Sequence, residues 1–255
     1  MYNFELFLVI CLLVIKNGDA YLKEKPSILS ICRISDDNFN SCYAANLQTL
    51  FRQWKDGVPG LNGVGALDPL HVKRVTISHF GSANLNINAE LTNLTVTGIS
   101  AAVIREASTK IKMFLPKVRY ECDYSVNGTV LSVPLTGRGK AFFETKNVLL
   151  LMRIQNKLRD QDNFTFADVQ AVRVDIKEIE DFHLHLSNLF DGQKDLEDST
   201  NALLNDNWRE LWEALRPVSQ TTMETVMLDR LKHILNYIPS NYFAADIPKA
   251  KDVYG

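Results

Sequence analysis

Residues 120–135, YECDYSVNGTVLSVPL, decide the fold class because apolar and polar residues alternate on both sides of a turn signal. The dipeptide Asn127-Gly128 supplies two successive residues that tolerate positive φ, as a tight type I′ turn requires. A turn at this dipeptide places Tyr124 opposite Leu131 in the neighbouring strand. Because side chains alternate between the two faces of a strand, the segment predicts an antiparallel hairpin with one apolar face.

The same strand-like pattern extends on both sides of this hairpin. Apolar residues alternate or run continuously in segments that Asn, Gly, Asp and Ser residues separate. These segments are 72–77, 85–94, 111–124, 129–135, 140–154, 169–176 and 182–186. Long consecutive strands joined by short turns predict a curved, strongly twisted antiparallel sheet.

The C-terminal segment 199–237 changes from the strand period to the helix period. Its apolar residues recur three or four positions apart and form a stripe along a helix. Pro217 is expected to kink this helix or to divide it in two. About 40 residues give a helix of roughly 60 Å, which exceeds the width of about 45 Å expected for a compact domain of this size.

A long apolar helix and a long apolar sheet face can bury each other if the sheet curves around the helix. The sequence therefore predicts an α+β fold, with a highly curved antiparallel sheet wrapped around a long C-terminal α-helix in one elongated domain, residues 21–255. Such wrapping leaves an axial gap wherever helix and sheet side chains do not meet. This gap is either filled by side chains or open as a tunnel.

A shorter helix is predicted before the sheet. Asp36-Asp37 can cap its first turn, and apolar residues recur at helical spacing from Phe39 to Trp54. Gly57 is a typical residue just after a helix, and Pro59 prevents continuation.

Residues 1–20 are predicted to be a signal peptide. The apolar run from Phe4 to Ile15 is interrupted only by Glu5, and about a dozen residues suit a signal-peptide core better than a membrane span. The small residues Gly18 and Ala20 match the positions that a signal peptidase prefers. The alternative is a buried N-terminal helix or strand. The first interpretation predicts a secreted, extracellular protein without stable membrane insertion.

Cysteine usage fits an oxidising compartment, and the sequence contains three sequons that permit N-glycosylation. Cys32 and Cys42 are predicted to form a disulfide that closes a short loop. Cys122 is then unpaired and predicted to be a buried, unreactive thiol, with a reactive or intermolecular thiol as the alternative. The candidate N-glycosylation sites begin the sequons at Asn93, Asn127 and Asn163.

Composition and motifs narrow the class of function. Of 255 residues, 46% are apolar and 23% charged, and the formal net charge of −2 argues against nucleic acid as a partner. His183 and His185 are a possible metal pair, but no third ligand is indicated and solvent-facing side chains are the preferred interpretation. Gly137-x-Gly139-Lys140 lacks the spacing of a phosphate loop and predicts a bend or bulge. We expect no metal, no cofactor and no enzymatic activity, with a hydrolase as the alternative.

Several strings occur in an order that resembles the takeout and juvenile-hormone-binding protein family of insects. They are GALDPL at 65–70, DYSVNG at 123–128, PLTGRGK at 134–140, LFDG at 189–192, NDNWRE at 205–210 and LRP at 215–217. The resemblance covers nearly the whole mature chain and includes the paired N-terminal cysteines. It implies secretion, a TULIP-like α/β-wrap and an internal hydrophobic tunnel for a small lipophilic ligand. A second cysteine pair is missing, which favours the takeout-like branch over the hormone carriers.

The candidate ligand contacts are apolar side chains and two tyrosines. A buried Tyr120 or Tyr124 hydroxyl can bind a backbone carbonyl or the polar group of a ligand. The resemblance implies that Tyr124 occupies a position from which a tyrosine reaches the ligand. The full set is Leu47, Phe51, Tyr120, Tyr124, Val126, Leu131, Val133, Met152, Met223 and Met227.

The sequence thus predicts a monomeric, secreted carrier that reversibly binds a small hydrophobic ligand in an internal tunnel. Its ligand is expected to be a terpenoid-hormone-like molecule or a fatty lipid. The alternative is a secreted interaction or signalling protein with a packed core, which acts through its surface.

Overall fold

The computed structural model describes residues 21–79 and 85–255, and the predicted signal peptide lies outside the described residues. The helices are α1 (Phe39–Gln53), α2 (Lys194–Asp206), α3 (Trp208–Tyr237) and α4 (Ala250–Tyr254). The strands are β1 (Leu70–His79), β2 (Leu85–Thr97), β3 (Val103–Ala107), β4 (Ile111–Val130), β5 (Val133–Gln161), β6 (Phe164–Glu178) and β7 (Asp181–Leu186).

The described strands form one antiparallel sheet of seven strands in the order β1-β2-β4-β5-β6, while β3 pairs with β4 and β7 pairs with β5. Helix α3 packs mainly against β6 and also contacts β1 and β7. Apolar side chains of the sheet and of α3 belong to one hydrophobic cluster. The predicted α+β fold, a curved antiparallel sheet with a long C-terminal helix in a single domain, is confirmed.

The central hairpin of β4 and β5 is longer than predicted, and its turn lies elsewhere. The ladder runs from Ile111 opposite Met152 to Val130 opposite Val133, roughly 60 Å at the usual rise of a strand. The predicted turn at Asn127-Gly128 is wrong. The chain turns at Leu131-Ser132, where both residues have positive φ, 50° and 67°.

Strand β2 explains why the turn is not at Asn127-Gly128. Both residues of the dipeptide pair with β2 as well as with β5, so a turn there would remove ladder hydrogen bonds on two sides. A Cβ atom on Gly128 would lie 2.1 Å from the carbonyl oxygen of Asn86. The glycine therefore permits close approach of β2 to β4, and Tyr124 lies opposite Gly139 instead of Leu131.

The buried side of this hairpin changes partway along its length. Leu115 and Val118 are both buried, although residues three positions apart lie on opposite faces of a regular strand. Their partners on β5 are buried as well. The ladder omits the intervening residues Pro116 and Asn147, and Asn147 has φ of 49°. The alternation of side chains is therefore interrupted here, and the buried apolar residues on both sides of the interruption belong to one hydrophobic cluster.

The C-terminal helical segment is divided at Asn207, not at Pro217. Helix α2 ends at Asp206, and the Asn207 side chain donates a hydrogen bond to the Leu203 carbonyl at 2.8 Å. Helix α3 then continues through Pro217 to Tyr237. Pro217 lacks only one backbone N–H, and the packing of a 30-residue helix against the sheet outweighs that loss.

Amide and carboxylate side chains of the helices cover the free edges of several strands. Gln48 of α1 donates to the carbonyl of Ala102, just before β3, and accepts from the Ile104 N–H of β3, each at 2.8 Å. Gln220 and Glu224 of α3 bind the Val174 carbonyl and N–H of β6 at 2.8 and 2.9 Å. These contacts satisfy backbone groups that a sheet edge otherwise leaves unpaired.

The N-terminal segment is fixed to α1 by a disulfide and a buried asparagine. Cys32 and Cys42 are bonded to each other. The Asn46 side chain, 2% exposed, accepts from the Ser30 N–H at 2.9 Å and donates to the Ser30 carbonyl at 3.0 Å. The first described residues are thereby held against the first helix.

Candidate functional site

The candidate site is the apolar interior between the sheet and helices α1 and α3. Every predicted ligand contact belongs to or packs against one hydrophobic cluster. The buried members are Tyr124, Val126 and Met152. The partly buried members are Leu47, Phe51, Tyr120, Leu131, Val133, Met223 and Met227. The cluster is continuous in the described part of the chain.

These residues are spread along the molecule and do not form one compact pocket. Leu131 and Val133 lie at the tip of the β4–β5 hairpin, whereas Met152 lies opposite Ile111 at its other end. Met152 and Tyr124 nevertheless belong to the same hydrophobic cluster. The arrangement is that of a long apolar interior.

The Tyr124 hydroxyl is bound to the protein backbone. It donates a hydrogen bond to the Ser187 carbonyl at 2.9 Å. Burial raises the pKa of Tyr124 to about 12, and the negative charge of Glu197 contributes. The Tyr124 ring can line the interior, but its hydroxyl proton is already engaged in the hydrogen bond to the Ser187 carbonyl.

Two glycines on β5 make room for this contact, which corrects the predicted bend or bulge at Gly137-x-Gly139. Both lie in a regular part of the β4–β5 ladder. A Cβ on Gly139 would lie 2.2 Å from the Ser187 carbonyl oxygen, and one on Gly137 would lie 3.0 Å from the Tyr124 hydroxyl. The missing side chains allow Ser187 and the Tyr124 ring to lie close to β5.

Thr145 is a polar residue of the interior that the sequence prediction missed. Its side chain is 5% exposed. Burial raises the pKa of the neighbouring Tyr120 to about 12, and a hydrogen bond from the Thr145 hydroxyl partly offsets that rise. A threonine at an inward position of an apolar strand was the only sequence signal for this site.

Trp212 of α3 also presents a polar atom to the interior. Its ring lies against Phe182 of β7 with centroids 5.8 Å apart, and the residue is 6% exposed. Its Nε1 has no acceptor in the described part of the chain. Phe182 is the register partner of Thr145, so the Thr145 hydroxyl and the Trp212 indole adjoin the same ring.

Cys122 lies in the same wall of the interior as Tyr124. It is a free thiol, 6% exposed, and burial raises its pKa to about 11. The negative charge of Asp123 adds to this rise, and Lys140 reduces it. The thiol is therefore protonated at neutral pH.

The other predicted groups lie on the outside. His183 and His185 are exposed and alternate with buried apolar residues of β7. Asn93, Asn127 and Asn163 are exposed. Within residues 21–79 and 85–255, no group of three or more His, Cys, Asp and Glu side chains is placed to hold a metal ion. None of the helices in these ranges has the length and hydropathy needed to cross a membrane.

The sequence of this chain is similar to a known protein family and to two curated insect proteins. Residues 6–245 match the family model of haemolymph juvenile hormone binding protein (JHBP). The circadian clock-controlled protein daywake of Drosophila melanogaster is 28% identical over 200 residues, which cover 73% of this chain and 75% of daywake. Daywake of Drosophila yakuba is 27% identical over the same length, with the same coverage.

A solved structure shares the fold. The crystal structure of Takeout 1 from Epiphyas postvittana matches with a TM-score of 0.73 and 20% sequence identity. The match covers 85% of this chain and 99% of the Takeout 1 chain.

Proposed function

The chain belongs to the haemolymph juvenile hormone binding protein family, and from this premise we propose that it is a secreted carrier of a small hydrophobic ligand. The ligand would be a terpenoid-hormone-like molecule or a fatty lipid, bound reversibly in the interior without a cofactor. Residues 21–255 would form the mature, monomeric domain after removal of the signal peptide. The disulfide between Cys32 and Cys42 supports secretion, because such bonds persist in oxidising compartments.

The observation that carries this proposal is the continuous apolar cluster along the β4–β5 hairpin and α3. A ligand lying along this interior would contact the sheet on one side and the helix on the other. The proposed contacts are Leu47, Phe51, Tyr120, Tyr124, Val126, Leu131, Val133, Met152, Met223 and Met227. The two α3 methionines suit an adaptable lining because their side chains are unbranched and flexible.

The energetics of such a site permit useful affinity with little polar contact. A terpenoid or fatty chain that buries about 400 Å² of apolar surface gains roughly 10 kcal/mol from leaving water. Loss of translational and rotational freedom removes on the order of 4 kcal/mol or more. The remaining free energy, about 6 kcal/mol, corresponds to a dissociation constant of roughly tens of micromolar. Shape and a few hydroxyl groups would then determine selectivity.

The direct test is ligand binding by purified, delipidated protein. Titration with a fluorescent fatty acid should give saturable binding with one site per chain, and unlabelled fatty or terpenoid ligands should displace the probe. Native mass spectrometry of protein from its natural source should show a bound small molecule. A chain that takes up no hydrophobic probe would overturn the carrier proposal and favour an interaction protein with a packed core.

A further inference from the structure

A bulge in β2 directs the side chain of Asn93 outward. Between Thr92 and Thr95 the pairing of β2 with β4 shifts by one residue, so Asn93 and Leu94 together lie opposite a single residue of β4. Asn93 has φ of 53° and is exposed, whereas Leu94 is buried. Bulges of this kind re-aim a side chain while the rest of the strand keeps its buried face. Asn93 is therefore the extra residue that β2 presents on the outside of the sheet.

The amide nitrogen of Asn93 is directed at Asp123 of β4. The distance from Nδ2 to the Oδ2 atom of Asp123 is 2.8 Å. Hydrogen bonds from Lys140 and Asn93 lower the pKa of Asp123, so its carboxylate is ionised at neutral pH and can only accept. The atom of Asn93 at this contact is consequently the nitrogen, which is the atom that N-glycosylation modifies.

Asn93 and Thr95, the first and third residues of the sequon, line an outward groove of about 380 Å³ between β2, β4, β5 and β7. Phe142 contributes an aromatic ring to this groove, and Glu121 and His185 contribute polar groups. A sugar ring has a face of C–H groups and a rim of hydroxyl and amide groups. An aromatic side chain flanked by hydrogen-bonding groups matches both parts. The groove therefore suits a saccharide better than a purely apolar molecule.

We propose that Asn93 carries an N-linked glycan whose first N-acetylglucosamine lies in this groove against Phe142. The inference rests on the secretion proposed above, since the modifying enzyme acts in the secretory pathway. The oligosaccharide comes from a polyprenyl diphosphate donor. The bond between the sugar C1 atom and the phosphate oxygen breaks, C1 bonds to Nδ2, one amide proton is lost and polyprenyl diphosphate leaves. Nδ2 keeps one hydrogen, which can still be donated to Asp123.

The other two sequons lie in different surroundings. Asn127 belongs to a regular part of β4 and pairs with β2 on one side and with β5 on the other. Asn163 lies in the turn between β5 and β6, and its carbonyl accepts a hydrogen bond from Lys249 at 2.7 Å. Neither asparagine lines the groove of Asn93. A glycan at either position would not be held against Phe142.

The first experiment measures whether Asn93 is modified. The full-length chain is produced in cultured insect cells, and the protein is collected from the medium. A peptide N-glycosidase in water enriched in heavy oxygen converts each glycosylated asparagine to labelled aspartate, and mass spectrometry of the peptides locates the label. Asn93 should carry it. Asn93→Gln should remove the label at this position, whereas Thr95→Ser keeps the sequon and should keep the label.

The second experiment measures whether the glycan lies in the groove. Cells treated with a mannosidase inhibitor retain high-mannose glycans, which endoglycosidase H cleaves between the first and second N-acetylglucosamine. Release from Asn93 of the folded protein should be about two- to tenfold slower in the unsubstituted chain than in Phe142→Thr, because the substitution removes the aromatic contact. Phe142→Tyr keeps the ring and should keep the slow release.

Phe114→Thr is the matched control for Phe142→Thr. Each ring lies on the outer face of the sheet beneath an arginine. The guanidinium carbon of Arg105 is 4.7 Å from the Phe114 centroid, and that of Arg119 is 4.4 Å from the Phe142 centroid. Phe114 does not line the groove, so its substitution should leave the rate of release from Asn93 unchanged.

Different results would overturn different proposals. Secreted protein without a label at Asn93 would overturn the modification, while secretion would stand. A labelled Asn93 whose glycan is released at the same rate from the unsubstituted protein and from Phe142→Thr would overturn the contact with the groove. A chain that stays inside the cell without a glycan at any sequon would instead contradict secretion itself.

Discussion

Asn201 of helix α2 binds the backbone of Leu186 in the way that a neighbouring strand would. Its Oδ1 accepts from the Leu186 N–H at 2.9 Å, and its Nδ2 donates to the Leu186 carbonyl at 2.9 Å. Asn205 repeats the arrangement with Leu184, again with both distances at 2.9 Å. The helix thus closes the free edge of β7, which would otherwise be open to pairing with another chain.

Asn201→Ala should destabilise the protein by about 2–4 kcal/mol, because it leaves a buried N–H and a buried carbonyl of β7 unpaired. Urea denaturation followed by circular dichroism measures the loss. Asn86→Ala is a suitable control, since that asparagine is exposed on β2 and should change stability by less than about 0.5 kcal/mol. Equal effects of the two substitutions would contradict the edge-covering role.

Tyr124→Phe should reduce stability by about 1 kcal/mol through loss of the hydrogen bond to the Ser187 carbonyl. Affinity for a hydrophobic ligand should stay within about twofold, because the hydroxyl proton is bound to the protein and the ring is retained. Dye displacement measures the affinity. A loss of tenfold or more for one ligand class would make the hydroxyl itself a ligand contact.

Cys122 should be unreactive toward a thiol reagent in the folded protein. Its pKa is raised to about 11, so at pH 8 the protonated thiol dominates and the nucleophilic thiolate is rare. A disulfide reagent that releases a coloured product on reaction with a thiol measures the labelling by absorbance. The folded protein should show no labelling in buffer, and the protein unfolded in guanidinium without reductant should show one labelled thiol per chain. Rapid labelling under native conditions would point to the alternative of a reactive thiol.

Asp246 should make stability depend on pH at acidic values. Hydrogen bonds from the backbone N–H groups of Ile34 and Ser35 lower its pKa from the ordinary value of 3.8. The stability that the ionised Asp246 carboxylate adds to the folded protein is fully present above pH 3.8. This stability is lost as the pH falls through the lowered pKa of Asp246 in the folded state. Thermal denaturation from pH 7 to pH 2.5 should show a smaller acid-induced decrease for Asp246→Asn than for the unsubstituted protein. Parallel curves would mean that other carboxylates account for the decrease.

The sequence predicted the fold because hydrophobic periodicity is a local signal. One buried face per element produces the alternation over 111–124 and 169–176 and the helical stripe over 199–237. The periodicity therefore indicates both the type of element and the side that is buried. Strand β3 was missed because only Ala107 of its five residues is buried, so it carries no alternating pattern. Neither Asp36 nor Asp37 begins the first helix; α1 starts after Asn38.

The turn and the polar interior could not be read from the sequence for a different reason. Asn127-Gly128 has the stronger local preference for a turn, but pairing with β2 on the other side of β4 outweighs it. Leu131-Ser132 has no such local preference, and the chain turns there because the pairing of β4 with β5 extends to Val130 and Val133. Thr145 and Trp212 place polar atoms in an apolar interior only because of what surrounds them in three dimensions, and no spacing in the sequence indicates that.

The order of elements along the chain has a consequence for biosynthesis. Every strand of the described sheet precedes Trp208, so the ribosome completes the sheet before the first residue of α3 is made. The β4–β5 hairpin joins neighbours in sequence and can form early, whereas its apolar face has no cover until α3 emerges. The nascent chain therefore passes through a stage in which its longest apolar surface is open to chaperones and to lipids alike.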